Sequence, residues 1–228
     1  MNGMLGLLLA AAVWLGLHRG LAGTGLRGRL AGHLGERGFR AVFSLLSILS
    51  LIGLVLTWRR AELVPLWFAP PGLRWLVVAA MLPVFLLFVG ALTRPNPTSV
   101  GGEAVLASGA RGMQRITRHP MLWSFALWAT LHLLARGDVA SLIFFGALLL
   151  TALLGMGSID RKLARRDPAA WRNLRAETSI LPFGAILAGR NRLVVAEIGW
   201  WTAALALLAW AVLLAAHPFL FGAPALPA

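Results

Sequence analysis

The stretch DVASLIFFGALLLTALLGMG, residues 138 to 157, carries no charged side chain after its first residue. At 1.5 Å per residue a helix of this length is about 30 Å long, the thickness of a bilayer's hydrocarbon core. It is therefore read as a membrane span. Working outward, five more apolar blocks run approximately over 2 to 18, 40 to 58, 74 to 92, 119 to 135 and 199 to 217. Hydrophobic residues make up 59% of the 228 and charged ones only 13%, about half the usual charged share of a soluble domain. The expected fold is an all-α polytopic membrane bundle of about six helices, forming a single domain over residues 1–228. No stretch remains for a separate soluble catalytic domain.

The charge distribution orients the bundle. With the N-terminus outside, the inner connections hold 17 of the 21 Lys and Arg residues. Only Arg59, Arg60, Arg74 and Arg136 fall outside, as the positive-inside bias requires, and both termini are then outside the cytoplasm. The first apolar block is read as a retained helix, because Arg19, Arg27 and Arg29 follow it and no basic residue precedes it, the reverse of a signal peptide. The net charge of +13 is accounted for by this topology and by contact with anionic membrane lipids. A basic patch interleaved with aromatics, as nucleic acid requires, is not present. The expected location is a bacterial cytoplasmic membrane.

Punctuation residues divide the connections. Pro65, Pro70 and Pro71 mark 59 to 73 as an irregular loop, and Pro95, Pro97 and several glycines mark 93 to 118 likewise. Pro83 falls inside the third span, where it removes a donor from the carbonyl of Ala79. Arg136-Gly137 joins spans four and five so closely that they must form an antiparallel hairpin. The polar stretch after 158 alternates charge at a helical rhythm until Pro168 breaks it, predicting a broken amphipathic helix along the inner surface.

Cysteine and tyrosine are absent, which excludes thiolate chemistry and disulfides. No span holds a Lys, Arg, Asp or Glu in its interior, which speaks against a pump or ion-coupled transporter. What the interior holds is histidine. His132 lies 13 residues beyond His119, about 20 Å above the inner surface, on one face with Met121, Phe125 and Trp128. Leu7, Ala11, Trp14 and His18 share a face of the first span. Two imidazoles projecting from apolar helix faces suit axial ligation of a haem, although a lone histidine in a bundle is more often hydrogen-bonded to a backbone carbonyl or a polar neighbour. His33, between Arg29 and Arg37, is read as solvated in a polar loop, and His217, before Pro218, as an interfacial cap. Pro120 begins a helix whose free amide donors, with Arg115 and Arg118 beside them, form an anion-binding helix start.

Several ordered blocks together resemble one family. They are His18-Arg19-Gly20-Leu21-Ala22, Leu34-Gly35-Glu36-Arg37-Gly38-Phe39-Arg40, Ile116-Thr117-Arg118-His119-Pro120, Leu131-His132, Asp160-Arg161-Lys162-Leu163-Ala164, Thr178-Ser179-Ile180-Leu181-Pro182-Phe183 and His217-Pro218. The chain resembles the NnrU family, which also includes 15-cis-zeta-carotene isomerases. The resemblance implies a role in nitrite and nitric oxide reduction, with reductase components as partners, or haem-dependent isomerisation of a lipophilic substrate. It implies haem b held by His18 and His132, with His119 as the alternative ligand because its depth matches that of His18. Arg115 and Arg118 are then placed as partners of the propionates.

Two further readings stand beside this one. The segment from Ser108 to Pro120, with Asp160, Trp171 and Leu181-Pro182-Phe183, is similar to the cofactor region of membrane methyltransferases that use S-adenosylmethionine. Leu122 departs from that pattern where a tyrosine is usual. A non-catalytic factor assisting reductase maturation is the third class.

Overall fold

The computed structural model describes residues 3–21, 25–99 and 102–226. Ten α-helices are found among them: α1 (Gly3–Gly16), α2 (Leu26–Arg60), α3 (Pro71–Thr93), α4 (Met113–Ile116), α5 (Pro120–Ala135), α6 (Val139–Arg166), α7 (Pro168–Glu177), α8 (Gly184–Leu187), α9 (Val195–Ile198) and α10 (Trp200–Phe221). A π-helical turn at Leu17–Leu21 follows α1, and a 3₁₀ segment covers Gly102–Ser108. Two short strands, β1 (Pro65–Phe68) and β2 (Arg136–Asp138), pair antiparallel. Five helices, namely α1 with its π turn, α2, α3, α6 and α10, are long and apolar enough to cross a membrane. The sixth expected span is α5, which at 16 residues is shorter.

The chain divides into two compact units, one of residues 1–69 and 132–151, the other of 70–131 and 152–228. In the first unit α1 packs along α2. The buried residues of α1 are Leu7, Ala11 and Trp14, the stripe expected from spacing. Gly3 lies so close to Arg60 that a Cβ there would stand 2.5 Å from its carbonyl oxygen, which sets the start of α1 beside the end of α2. The outward side of α2 is a run of exposed leucines and isoleucines, with Leu45, Ile48 and Leu49 all above half exposure. In water this would be an aggregation patch; it is the composition that lipid requires.

In the second unit α3 and α10 pair. The Thr93 and Thr202 hydroxyls meet at 3.1 Å, and the Trp210 indole donates to the Val78 carbonyl at 3.0 Å. Both are polar contacts satisfied inside an apolar pair, which spares those groups an unpaired burial away from water. α7 starts where Pro168 was expected to interrupt a helix. Asp167 is its N-cap, its side chain accepting from the Ala170 amide at 3.0 Å, and Pro168 takes the first turn, where its missing N–H costs nothing. The face of α7 formed by Ala170, Trp171 and Leu174 closes a small core with Leu106, Ala110 and Leu163.

Three local expectations change. The polar stretch around His33 is helical, part of α2, bent at Gly35 (φ 71°), and His33 is exposed on it. Its Arg, Glu, Leu and Ala residues favour helix whether or not lipid surrounds them. The loop of 59 to 73 contains β1, pinned to β2 with Trp67 opposite Gly137. On α5 the buried stripe is Pro120, Ser124, Ala126 and Ala129, and Phe125 is 43% exposed. Small residues let membrane helices approach closely, so they win the inward face over Phe125 and the bulky side chains expected there.

Candidate functional site

Two histidines of the first unit, His18 and His132, pack against aromatic rings. His18 follows α1 in the π turn, where its Nδ1 lies 2.9 Å from the Trp14 carbonyl, so that Nδ1–H donates one turn back. Its ring stacks on Trp14 at 3.9 Å and meets the edge of Phe43 at 5.4 Å. Trp14 is held in turn by its indole N–H, which donates to Thr151 at 2.8 Å. A histidine whose Nδ1 is tied to a carbonyl presents Nε2 with a fixed orientation, the usual preparation of an imidazole for a metal.

His132 stacks on Phe145 at 5.0 Å, and Phe145 meets Trp58 edge-on at 5.8 Å. Trp58 neighbours Thr57, whose methyl faces Gly6 across the α1–α2 contact. His18 rests on Trp14 and Phe43 and His132 on Phe145, so the two rings have different aromatic supports.

The second unit holds a denser polar cluster. Asp160, near the end of α6, accepts from Arg118 twice, at 2.9 and 3.2 Å, and from the His119 Nε2–H at 2.7 Å. Arg118 also donates to the Thr178 hydroxyl at 3.0 Å and lies over the Trp171 ring at 4.8 Å. The Arg118 side chain is 5% exposed and that of His119 wholly buried. Charge at this depth persists because the carboxylate and guanidinium satisfy each other with several hydrogen bonds. His119 Nδ1 is left buried with no hydrogen-bond partner among the described residues.

The approach to α5 is an extended crossing. Arg118 N–H donates to the Ser179 carbonyl at 2.8 Å, Phe183 N–H to Ile116 at 2.7 Å, and the Thr117 hydroxyl to Ile180 at 2.7 Å. The His119 amide donates to Thr117 Oγ1. Amides expected to be free for an anion at this helix start are thus partly consumed by the chain itself. Phe183 adopts a left-handed conformation, φ 61°, to turn the crossing into α8.

Arg115 belongs to a separate clamp. Its guanidinium donates to both oxygens of Glu197, at 2.7 and 2.8 Å, and to Asn191 at 2.7 Å. The Gly112 amide adds a bond to Glu197 at 2.9 Å, from a positive-φ glycine that lets the backbones approach. Arg115 and this amide hold the Glu197 carboxyl down to about 2, so the pair stays ionised throughout the neutral range. Arg115 and Arg118 were expected to meet haem propionates; in this structure their guanidinium groups pair with Glu197 and Asp160. His119, the alternative ligand, has its Nε2 bonded to Asp160, and its Nδ1 is the ring nitrogen left without a partner. The acidic residue of the S-adenosylmethionine reading, Asp160, likewise has both oxygens occupied.

Thr178, Glu197 and Asn191 were not anticipated as members of these clusters. No spacing signals them, since the pairs 118–160 and 115–197 are joined only by folding. His217, expected to close its helix before Pro218, lies inside α10, which runs to Phe221, and its Nδ1–H donates to the Ala223 carbonyl at 2.6 Å.

The architecture is that of an all-α protein with several membrane-length apolar helices, organised around paired His and Arg clusters. The chain belongs to the NnrU family, whose model, described as "NnrU protein", matches residues 6–225. Among curated proteins it is 29% identical to the chloroplastic 15-cis-zeta-carotene isomerase of Arabidopsis thaliana over 193 residues, 82% of this chain and 51% of that protein. It is 35% identical to the Zea mays enzyme of the same name over 82 residues, 36% of this chain and 22% of that one. The chain spans about half the length, or less, of the curated relatives it matches. No solved structure matches it significantly.

Proposed function

We propose that this NnrU-family protein is a multi-pass protein of the cytoplasmic membrane with isomerase-like activity on a lipophilic substrate, and that it carries haem b on His18. The observation that carries the proposal is the tether of His18: Nδ1 bonded to the Trp14 carbonyl, the ring sandwiched by Trp14 and Phe43, and Nε2 unoccupied among the described residues. Similarity to the carotene isomerases supports the same reading. When bound, the haem would supply redox or bond-isomerising chemistry.

The chain's own contribution is positioning. Thr151 holds the Trp14 indole, and Trp14 in turn holds the half-buried His18 ring. The test is an optical spectrum of detergent-purified protein expressed with ample porphyrin. A Soret band is expected, lost in His18→Ala and retained in His132→Ala. A band that survives His18→Ala, or that disappears in His132→Ala as well, overturns the single-ligand assignment.

A further inference from the structure

At the end of α7, within the second unit, lies an open pocket of about 390 Å³. That volume falls within the roughly 300–1,000 Å³ range of small-ligand pockets. Arg118, Arg175 and Arg190 line it, with Thr178, Ser179 and Leu181. Arg118 is neutralised by Asp160. Arg190 directs one nitrogen, Nη1, at the Arg175, Ala176 and Thr178 carbonyls that end α7, at 3.2, 2.6 and 3.1 Å. A guanidinium has five N–H donors, so its Nε and Nη2 sides stay available.

Arg175 makes no side-chain hydrogen bond or ion pair among the described residues, and no carboxylate among them pairs with Arg190. The adjacent acid, Glu177, directs its Oε2 at the Ala110 amide. Two unneutralised guanidinium forks thus converge on one pocket, and each fork matches the oxygen geometry of a phosphate. Leu181, in the wall, is 64% exposed and offers an apolar edge.

We propose that this pocket binds a phosphate group through Arg175 and Arg190. Two sources offer that chemistry, the headgroup of an acidic phospholipid and free phosphate. The test uses native mass spectrometry and equilibrium binding on the whole detergent-purified chain, with phosphatidic acid, phosphatidylcholine and inorganic phosphate as probes. The wild type is expected to retain phosphatidic acid in preference to phosphatidylcholine, or to bind inorganic phosphate, with one site per chain. Arg175→Gln is expected to weaken that binding roughly tenfold, the worth of about one charge-assisted contact pair. Arg172→Gln, an exposed arginine outside the pocket, serves as the control and is expected to leave it unchanged.

Phosphatidic acid bound and not displaced by inorganic phosphate identifies the headgroup as the source; phosphate bound alone identifies the free anion. Equal losses in Arg175→Gln and Arg172→Gln, or no one-to-one binding of either probe, overturn the proposal. Arg190→Gln would also remove the cap of α7, so Arg175→Gln, which leaves that cap in place, is the decisive variant.

Discussion

Asp160 takes three hydrogen bonds from two buried donors, and its neighbours depend on it more than it depends on them. Replacing it by Asn removes the charge while keeping the shape, and leaves the Arg118 guanidinium buried without its counter-ion. Breaking a buried pair from one side typically costs about 3 kcal/mol or more. Asp160→Asn is therefore expected to lower the thermal midpoint in detergent by several degrees, whereas Glu197→Gln, at the more exposed Arg115 clamp, is expected to lower it far less. Equal, small shifts in both would show that the Arg118–Asp160 pair is not a principal support of the second unit. Of this cluster the sequence displayed the residue types, Arg118-His119-Pro120 and a lone acid at 160. It did not display the pairing, because a separation of 42 residues is bridged by two helices whose packing no local pattern encodes.

At the scale of elements, the β1–β2 ribbon is the part most sensitive to a single methyl group. Gly137 faces Trp67 so closely that a Cβ would collide with both the carbonyl and the indole of that residue. Gly137→Ala must therefore push the strands apart or move Trp67, whose indole donates to the Leu134 carbonyl at 3.3 Å. Such overpacking costs about 1–3 kcal/mol. The expected result is faster hydrogen exchange at residues 65–68, with α3 and α10 unaffected; unchanged exchange would refute the contact. The helices themselves were legible from apolar runs, and so was the tight connection at Arg136-Gly137. The ribbon was not, because its four residues Pro65–Phe68 are exposed and show no alternation. The polar first part of α2 was hidden for another reason: polarity marks where lipid ends, and a helix has no need to end there.

For the whole molecule, the distribution of basic residues makes a topological prediction. If the chain is oriented as its charges suggest, with 17 of the 21 Lys and Arg inside, reporter fusions after residue 226 and within 62–70 are expected to report the outside. Fusions within 165–192 are expected to report the cytoplasm. A cytoplasmic signal from the C-terminal fusion would invert the arrangement.

Composition and the spacing of apolar blocks by themselves determined that the protein is an all-α chain of membrane-length helices, because burying a backbone in lipid leaves few alternatives. Motif order alone was enough to reveal the NnrU kinship. Only the tertiary structure decided which histidine is tethered, which arginines are already neutralised and which still face an open pocket. Those outcomes depend on contacts between residues tens of positions apart, and their energies arise from burial and partner geometry, quantities a linear sequence does not contain.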